Sequence, residues 1–248
     1  MKAIQVQNEE QFKRLLDRVS NDTLRAGDYW RLLRGLETAV TEDGREFSQN
    51  PAFWGFTFNA LSEVTLSYLT RLYDKTRDSL NLESFLLTVK SCSGYFSEQA
   101  FRQRRLDSPH LESLASTRRT LDLSVLTADI ASVSDKEPLV KRLRDFRNNY
   151  VAHRDAEIVR DLSLSSQTGL TVGDIDTLLS RAARIVRYYN PLYSGTFLSA
   201  EVIGADDYKG LLQIVKEHLD AFTAACDEDY RRAREGSGTS ARAGGKEA

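Results

Sequence analysis

The sequence predicts an all-α protein, an up-and-down helical bundle with additional flanking helices, on three observations. Pro and Gly, 4 and 14 of 248 residues, are scarce within the long periodic segments. Ala, Leu, Arg and Glu, which lose little on entering a helix, are abundant. Apolar residues recur at i, i+3 and i+4 through most of the chain, the spacing of one helix face.

The elements follow in order. Asn8 with Gln11 resembles a capping box, and Phe12, Leu15, Leu16 and Val19 then give the stripe of a first helix. A second is expected from about Asp28, with Tyr29, Leu32, Leu33, Leu36 and Val40 inward, dissolving into the polar stretch Thr41 to Asn50. Pro51 suits a first helical position, and the run to Tyr73 is the most apolar in the chain. Its Trp54, Phe58, Leu61, Tyr68 and Leu72 share a face that Phe53, Ala60 and Val64 widen, which predicts a central, largely buried helix.

After the polar break Asp74 to Leu80, Asn81 caps a short helix through Phe85, Leu86 and Val89, ended by Ser91-Cys92-Ser93-Gly94. A basic helical piece around Arg102, Arg104 and Arg105 and a stretch with Leu121, Leu123, Val125 and Leu126 follow. Ser134 or Asp135 caps the next helix, whose apolar face is Leu139, Leu143, Phe146 and Tyr150 and whose end falls near Arg154. Thr171 and Asp174 open a helix with Ile175, Leu178, Leu179, Ala182, Ile185, Val186 and Tyr189 inward, ended by Pro191. Beyond a partly strand-like loop, Phe197 to Ile203, a last helix begins at about Asp206 with Tyr208, Leu211, Leu212, Val215, Leu219 and Phe222 inward. A single domain over 1–235 and a small, polar, disordered tail over 236–248 complete the expectation.

Composition narrows the function classes. A net charge of −2 gives no global positive field, so any nucleic-acid site is local. Two distant cysteines, Cys92 and Cys226, exclude a disulfide framework and a zinc ribbon and suit a reducing cytosol. No basic leader followed by an apolar run opens the chain, and no apolar segment approaches ~20 residues, so no membrane partner and a cytoplasmic location are expected. There is no G-x-x-x-x-G-K loop, H-E-x-x-H or nucleophile elbow, and neither cofactor nor metal is expected.

The segment Asp145-Phe146-Arg147-Asn148-Asn149-Tyr150-Val151-Ala152-His153-Arg154-Asp155 is the chemically exceptional one. At ~100° per residue Arg147 falls inside the apolar arc of its helix and His153 at the edge. A guanidinium there costs several kcal/mol unless it is paired or faces a polar cleft. Six positions apart, the two are not neighbours on one helix, but two copies meeting about a two-fold axis bring both pairs into one groove. An imidazole that takes the proton of a 2′-hydroxyl, an Arg that stabilises the phosphorane and Asn148 as an orienting group suit RNA cleavage without a metal. The alternative is structural: Arg147 and His153 in ion pairs with Asp145, Asp155 or an acid of another helix. Glu63 and Asp74, near one meridian of the long apolar helix, are candidates to neutralise Arg147.

Arg147 to His153 resembles the R-N-x-x-x-x-H signature of the HEPN superfamily (higher eukaryotes and prokaryotes nucleotide-binding). Arg71-Leu72-Tyr73-Asp74, the helix from Ser79 to Leu87 and Ala152 to Asp155 are similar, in order, to the branch associated with abortive phage infection. The similarity covers about Phe53 to Tyr189. It implies a HEPN-type bundle that dimerises through the motif helix. In active members it also implies metal-independent endoribonuclease activity leaving a 2′,3′-cyclic phosphate, in phage defence or as a toxin. By position, Arg147 and His153 would be the catalytic pair and Asn148 the helper. Members paired with a nucleotidyltransferase antitoxin carry a Tyr two residues after the His; here Asp155 stands there, which favours a stand-alone effector or another partner. The implied partners are RNA, a second copy, and an antitoxin or phage-derived trigger; the rival reading is a non-catalytic module that binds RNA, nucleotide or protein.

Lys141, Arg142, Arg144 and Arg154 are the candidate RNA-backbone contacts. Arg102, Arg104, Arg105, Arg118 and Arg119 either extend that track or form a solvated face. His110 and His218 read as surface histidines, and Tyr188, Tyr189, Trp54 and Phe58 as core rather than base-stacking residues.

Overall fold

The computed structural model describes residues 1–76, 78–116, 120–147, 169–197, 204 and 206–240, the last six in backbone only. Among the described residues every regular element is helical and there is no strand, as the periodicity predicts. In chain order these are α1 (Glu9–Glu42), α2 (Gly44–Phe47), α3 (Pro51–Leu72), α4 (Leu82–Ser91), a 3₁₀ turn (Ser93–Phe96), α5 (Glu98–Arg104), α6 (Leu111–Ser116), α7 (Leu123–Ser132), α8 (Pro138–Phe146), α9 (Val172–Ser194) and α10 (Asp207–Ser240). No described helix is long and apolar enough to cross a membrane.

The chain divides into two compact units, Met1–Trp30 with Ala60–Val202, and Arg31–Asn59 with Ile203–Ala248. The first holds one continuous core. Phe12 and Leu16 of α1, Leu69 of α3, Phe85, Leu86 and Val89 of α4, and Leu178, Ala182, Ile185 and Tyr189 of α9 are all essentially inaccessible. Phe12 sits among rings, 5.1 Å from Tyr193, 5.6 Å from Phe96 and 5.7 Å from Tyr95. Each of the larger of these side chains contributes ~1.5–3 kcal/mol by leaving water.

Capping fixes where two core helices start. Asn81 accepts from the Ser84 amide while Ser84 accepts from the Asn81 amide, and Thr171 and Asp174 do the same at α9. At the other end of α9, Gly195 adopts φ 70° and donates to the Pro191 carbonyl at 2.8 Å. A Cβ there would meet the Phe101 ring at 3.0 Å, so both conformation and space ask for glycine.

The second unit buries little beyond Leu33, Leu36, Ala39, Phe47 and Leu212. Phe47 packs against Trp54 and Phe58, with ring centroids 4.5 and 6.3 Å apart. Arg45 bonds Asp220 at 2.7 Å and joins α2 to α10.

Several elements differ from the sequence expectation. The first two expected helices are one, because the polar run between them is satisfied where it lies. Thr23 donates to the Val19 carbonyl at 2.8 Å, Asp22 meets Arg18 at 3.8 Å and Arg71 at 3.5 Å, and Asn190 donates to Ser20 at 3.4 Å. Pro191 lies inside α9, not beyond it: the carbonyl it cannot serve belongs to exposed Arg187, within reach of solvent. The first half of α3 is not buried, with Phe53 61% and Phe56 76% exposed. Of the residues expected inward on α10, only Leu212 is buried, and Leu211 and Phe222 are exposed. α10 continues through Ser240, past the expected start of the tail at Gly236. The loop expected over Phe197 to Ile203 lies, after Phe197, outside the described residues.

Candidate active site

The helix that carries the motif begins later than Ser134 or Asp135. Glu137 occupies the cap and Pro138 the first turn, where a missing N–H costs nothing. Leu139, Val140 and Leu143 bury one face of α8, and Arg147 follows as the cap residue, still in helical conformation. Asn148, His153 and Arg154 lie outside the described residues, so Arg147 is the catalytic candidate whose surroundings are seen.

Arg147 Nη1 donates to Asp74 Oδ1 at 2.9 Å, with the Arg147 side chain 36% and the Asp74 side chain 17% exposed. The sequence suggestion that Asp74 neutralises Arg147 therefore holds. Glu63, the other suggestion, is exposed on α3. Two segments singled out separately, the R-L-x-D end of α3 and the R-N-x-x-x-x-H segment, are thus parts of one site.

Local chemistry seats Asp74. Tyr73 beside it is buried, and its hydroxyl donates to the Leu178 carbonyl at 2.7 Å, which fixes the chain to α9. Asp74 Oδ1 accepts from the amides of Lys75 at 2.8 Å and Thr76 at 3.1 Å and from the Thr76 hydroxyl at 3.0 Å. Partial burial pushes the Asp74 pKa upward. The Thr76 and Lys75 hydrogen bonds and the Arg147 charge outweigh it and hold the carboxyl below the usual aspartate value.

A second network beside this pair has no signal in the sequence beyond adjacency. Lys75, only 9% exposed, donates to Glu83 and, at 2.7 Å, to the Val133 carbonyl, and lies 4.0 Å from Asp135. Asp135 also accepts from Arg144 at 3.2 Å. Lys75 thus ties the turn after α3 to the turn before α8, the two segments that present Asp74 and Arg147.

The candidate RNA contacts divide. Arg142 bonds Asp174 at 2.7 Å and Arg144 is shared by Asp135 and, at 3.9 Å, Asp145. Lys141 is exposed and, among the described residues, makes no ion pair. Of the upstream arginines, the three on and beside α5 are bonded within the fold. Arg102 is held by Glu98 and Glu112. Arg104 bonds Glu9 and the Tyr95 and Tyr193 carbonyls and lies 4.1 Å over the Tyr193 ring. Arg105 bonds the Ser194 carbonyl. These three brace α5 against its neighbours. Arg118 and Arg119 lie outside the described residues.

His110 and His218 are exposed, Tyr189 is buried, and Tyr188, Trp54 and Phe58 are half-buried. Among the described residues no group of three or more His, Cys, Asp and Glu is placed to hold a metal ion.

With Asp74 on one guanidinium nitrogen and a third of the side chain accessible, Arg147 has, among the described residues, donors left for an anion. An anchored, partly solvated Arg of this kind is suited to a phosphate oxygen.

A family model described as HEPN_AbiU2, AbiU2, matches residues 9–229. No curated protein and no solved structure matches the chain.

Proposed function

We propose that this chain, which belongs to the AbiU2 family of HEPN domains, is a metal-independent endoribonuclease that acts in abortive phage infection or as a toxin. The observation that supports the reading is the seat of Arg147: a guanidinium anchored through Nη1 by Asp74, with 36% of the side chain exposed. In the proposed reaction His153 takes the proton of an RNA 2′-hydroxyl. The 2′-oxygen bonds to phosphorus, the bond to the 5′-oxygen breaks, and that oxygen leaves with a proton. Arg147 stabilises the charge on the phosphorane and Asn148 orients it. The products are a 2′,3′-cyclic phosphate and a 5′-hydroxyl. Lys141, Arg142, Arg144 and Arg154 supply the backbone contacts. A dimer through the motif helix, a cytoplasmic location, and an antitoxin or phage-derived trigger belong to the same proposal.

The test is incubation of the purified protein with total RNA in excess EDTA beside Arg147→Ala and His153→Ala, with analysis of fragment ends. The expected result is cleavage to cyclic phosphate ends that falls by roughly 10²–10⁴ in each variant. Undiminished cleavage in both variants overturns it.

One observation favours a second reading. The Asp74–Arg147 pair is also what a structural ion pair looks like, as in a non-catalytic HEPN module. That reading expects Arg147→Ala to lower the melting temperature or dissociate the protein, with no RNA cleavage by the unaltered chain. Thermal melts beside the cleavage assay separate the two.

A further inference from the structure

We infer that Lys75 is a positioning residue for Arg147: its ammonium clamps the segment that bears Asp74 to the segment that leads into α8, and so holds the guanidinium in register for a phosphate. This role deepens the nuclease reading and rests on it. The chain leaves α3 at Leu72, and the next three residues serve different neighbours. Tyr73 bonds the Leu178 carbonyl, Asp74 bonds Arg147, and Lys75 bonds Glu83 in the first turn of α4 and the Val133 carbonyl at the end of α7. That carbonyl is one of those a helix end leaves without an intrahelical partner. The Lys75 side chain is 9% exposed and that of Glu83 11%. Two charges so withdrawn from water gain little net stability from each other; what such a pair fixes is geometry.

The tie extends to α8. Asp135, 4.0 Å from the Lys75 ammonium, accepts from Arg144 at 3.2 Å, and Arg144 lies three residues before Arg147, less than one helical turn. α9 also grips each segment, the first through Tyr73 and the second through Arg181, which bonds the Ser132 carbonyl at 2.6 Å and Glu137 at 3.3 Å. Those braces pass through a third element, whereas Lys75 joins the two segments to each other. The join matters for rate because a misplacement of ~1 Å in a catalytic group can cost ~10²-fold.

The test removes both charges together, Lys75→Met with Glu83→Gln. No buried carboxylate is then left without its lysine, the local net charge is unchanged, and the amide keeps an acceptor for the Met1 amino group 3.8 Å away. Two quantities are measured: cleavage, in excess EDTA, of an oligoribonucleotide spanning a site cut in total RNA, and the NMR titration of the Asp74 carboxyl. The paired variant is expected to keep its melting temperature and its KM, while the rate at saturating RNA falls roughly 10–100-fold. In the unaltered chain the Arg147 charge holds the Asp74 carboxyl down, so Arg147→Ala raises its pKa. In the paired variant that carboxyl already titrates higher, and adding Arg147→Ala moves it no further. An unchanged rate overturns the inference, and so does an Arg147→Ala shift as large in the paired variant as in the unaltered chain. If the unaltered chain cleaves no RNA, the nuclease reading falls, and the titration alone decides whether Lys75 sets Arg147.

Discussion

The two units use the same kind of amphipathic sequence to opposite ends. In Met1–Trp30 with Ala60–Val202, large apolar residues meet: Phe12, Phe85, Leu178 and Tyr189 reach zero exposure. In Arg31–Asn59 with Ile203–Ala248, the large apolar residues that stay outside, among them Phe53, Phe56, Leu211, Ile214, Phe222 and Tyr230, outnumber those that go in. Scattered exposed apolar residues need no explanation, but a stripe of them on one helix marks a surface with a use. The first unit therefore carries the packing that seats Asp74 and Arg147, and the second carries surface.

The largest expected effect breaks the comparison at its strongest point. Phe85→Ala, in the core of the first unit, should cost ~3–5 kcal/mol in denaturant unfolding, while Phe56→Ala, 76% exposed in the second, should stay within about 0.5 kcal/mol. Equal costs would mean that the units do not differ as described. Next comes Asn81→Ala, which removes a buried capping box from α4 and should cost roughly 1–2 kcal/mol by the same measurement. The smallest effect is on acid stability. The carboxyls of Asp74 and Asp174 both titrate below the usual value, Asp174 chiefly through the Thr171 amide. A depressed folded pKa contributes stability that is complete above the unfolded value of ~3.9 and is lost as pH falls through the folded one. Asp74→Asn should therefore flatten the fall of melting temperature with pH below ~4, and an unchanged slope would remove Asp74 from the account.

Much of this is legible in residue order. The caps at Asn81 and Thr171, the stripes of α4 and α9, and the suggestion that Glu63 or Asp74 meets Arg147 all follow from spacing and residue type alone. The braced arginines of α5 do not, because a cluster of cations in sequence says nothing about which carbonyls lie opposite. The half-buried Lys75 escapes notice for the same reason: its partners Glu83 and Val133 belong to other elements.

What the sequence by itself determined is therefore local: helix against strand, where caps fall, and an Arg and a His held at a spacing that matches the HEPN signature. Those depend on backbone preference and periodicity within a turn or two. Only the tertiary structure decided which apolar faces find a neighbour, that the polar run after Val19 continues one helix, and that Asp74 rather than Glu63 anchors Arg147. These outcomes depend on contacts between residues far apart in the chain. An amphipathic stripe specifies a face to be covered but not the element that covers it.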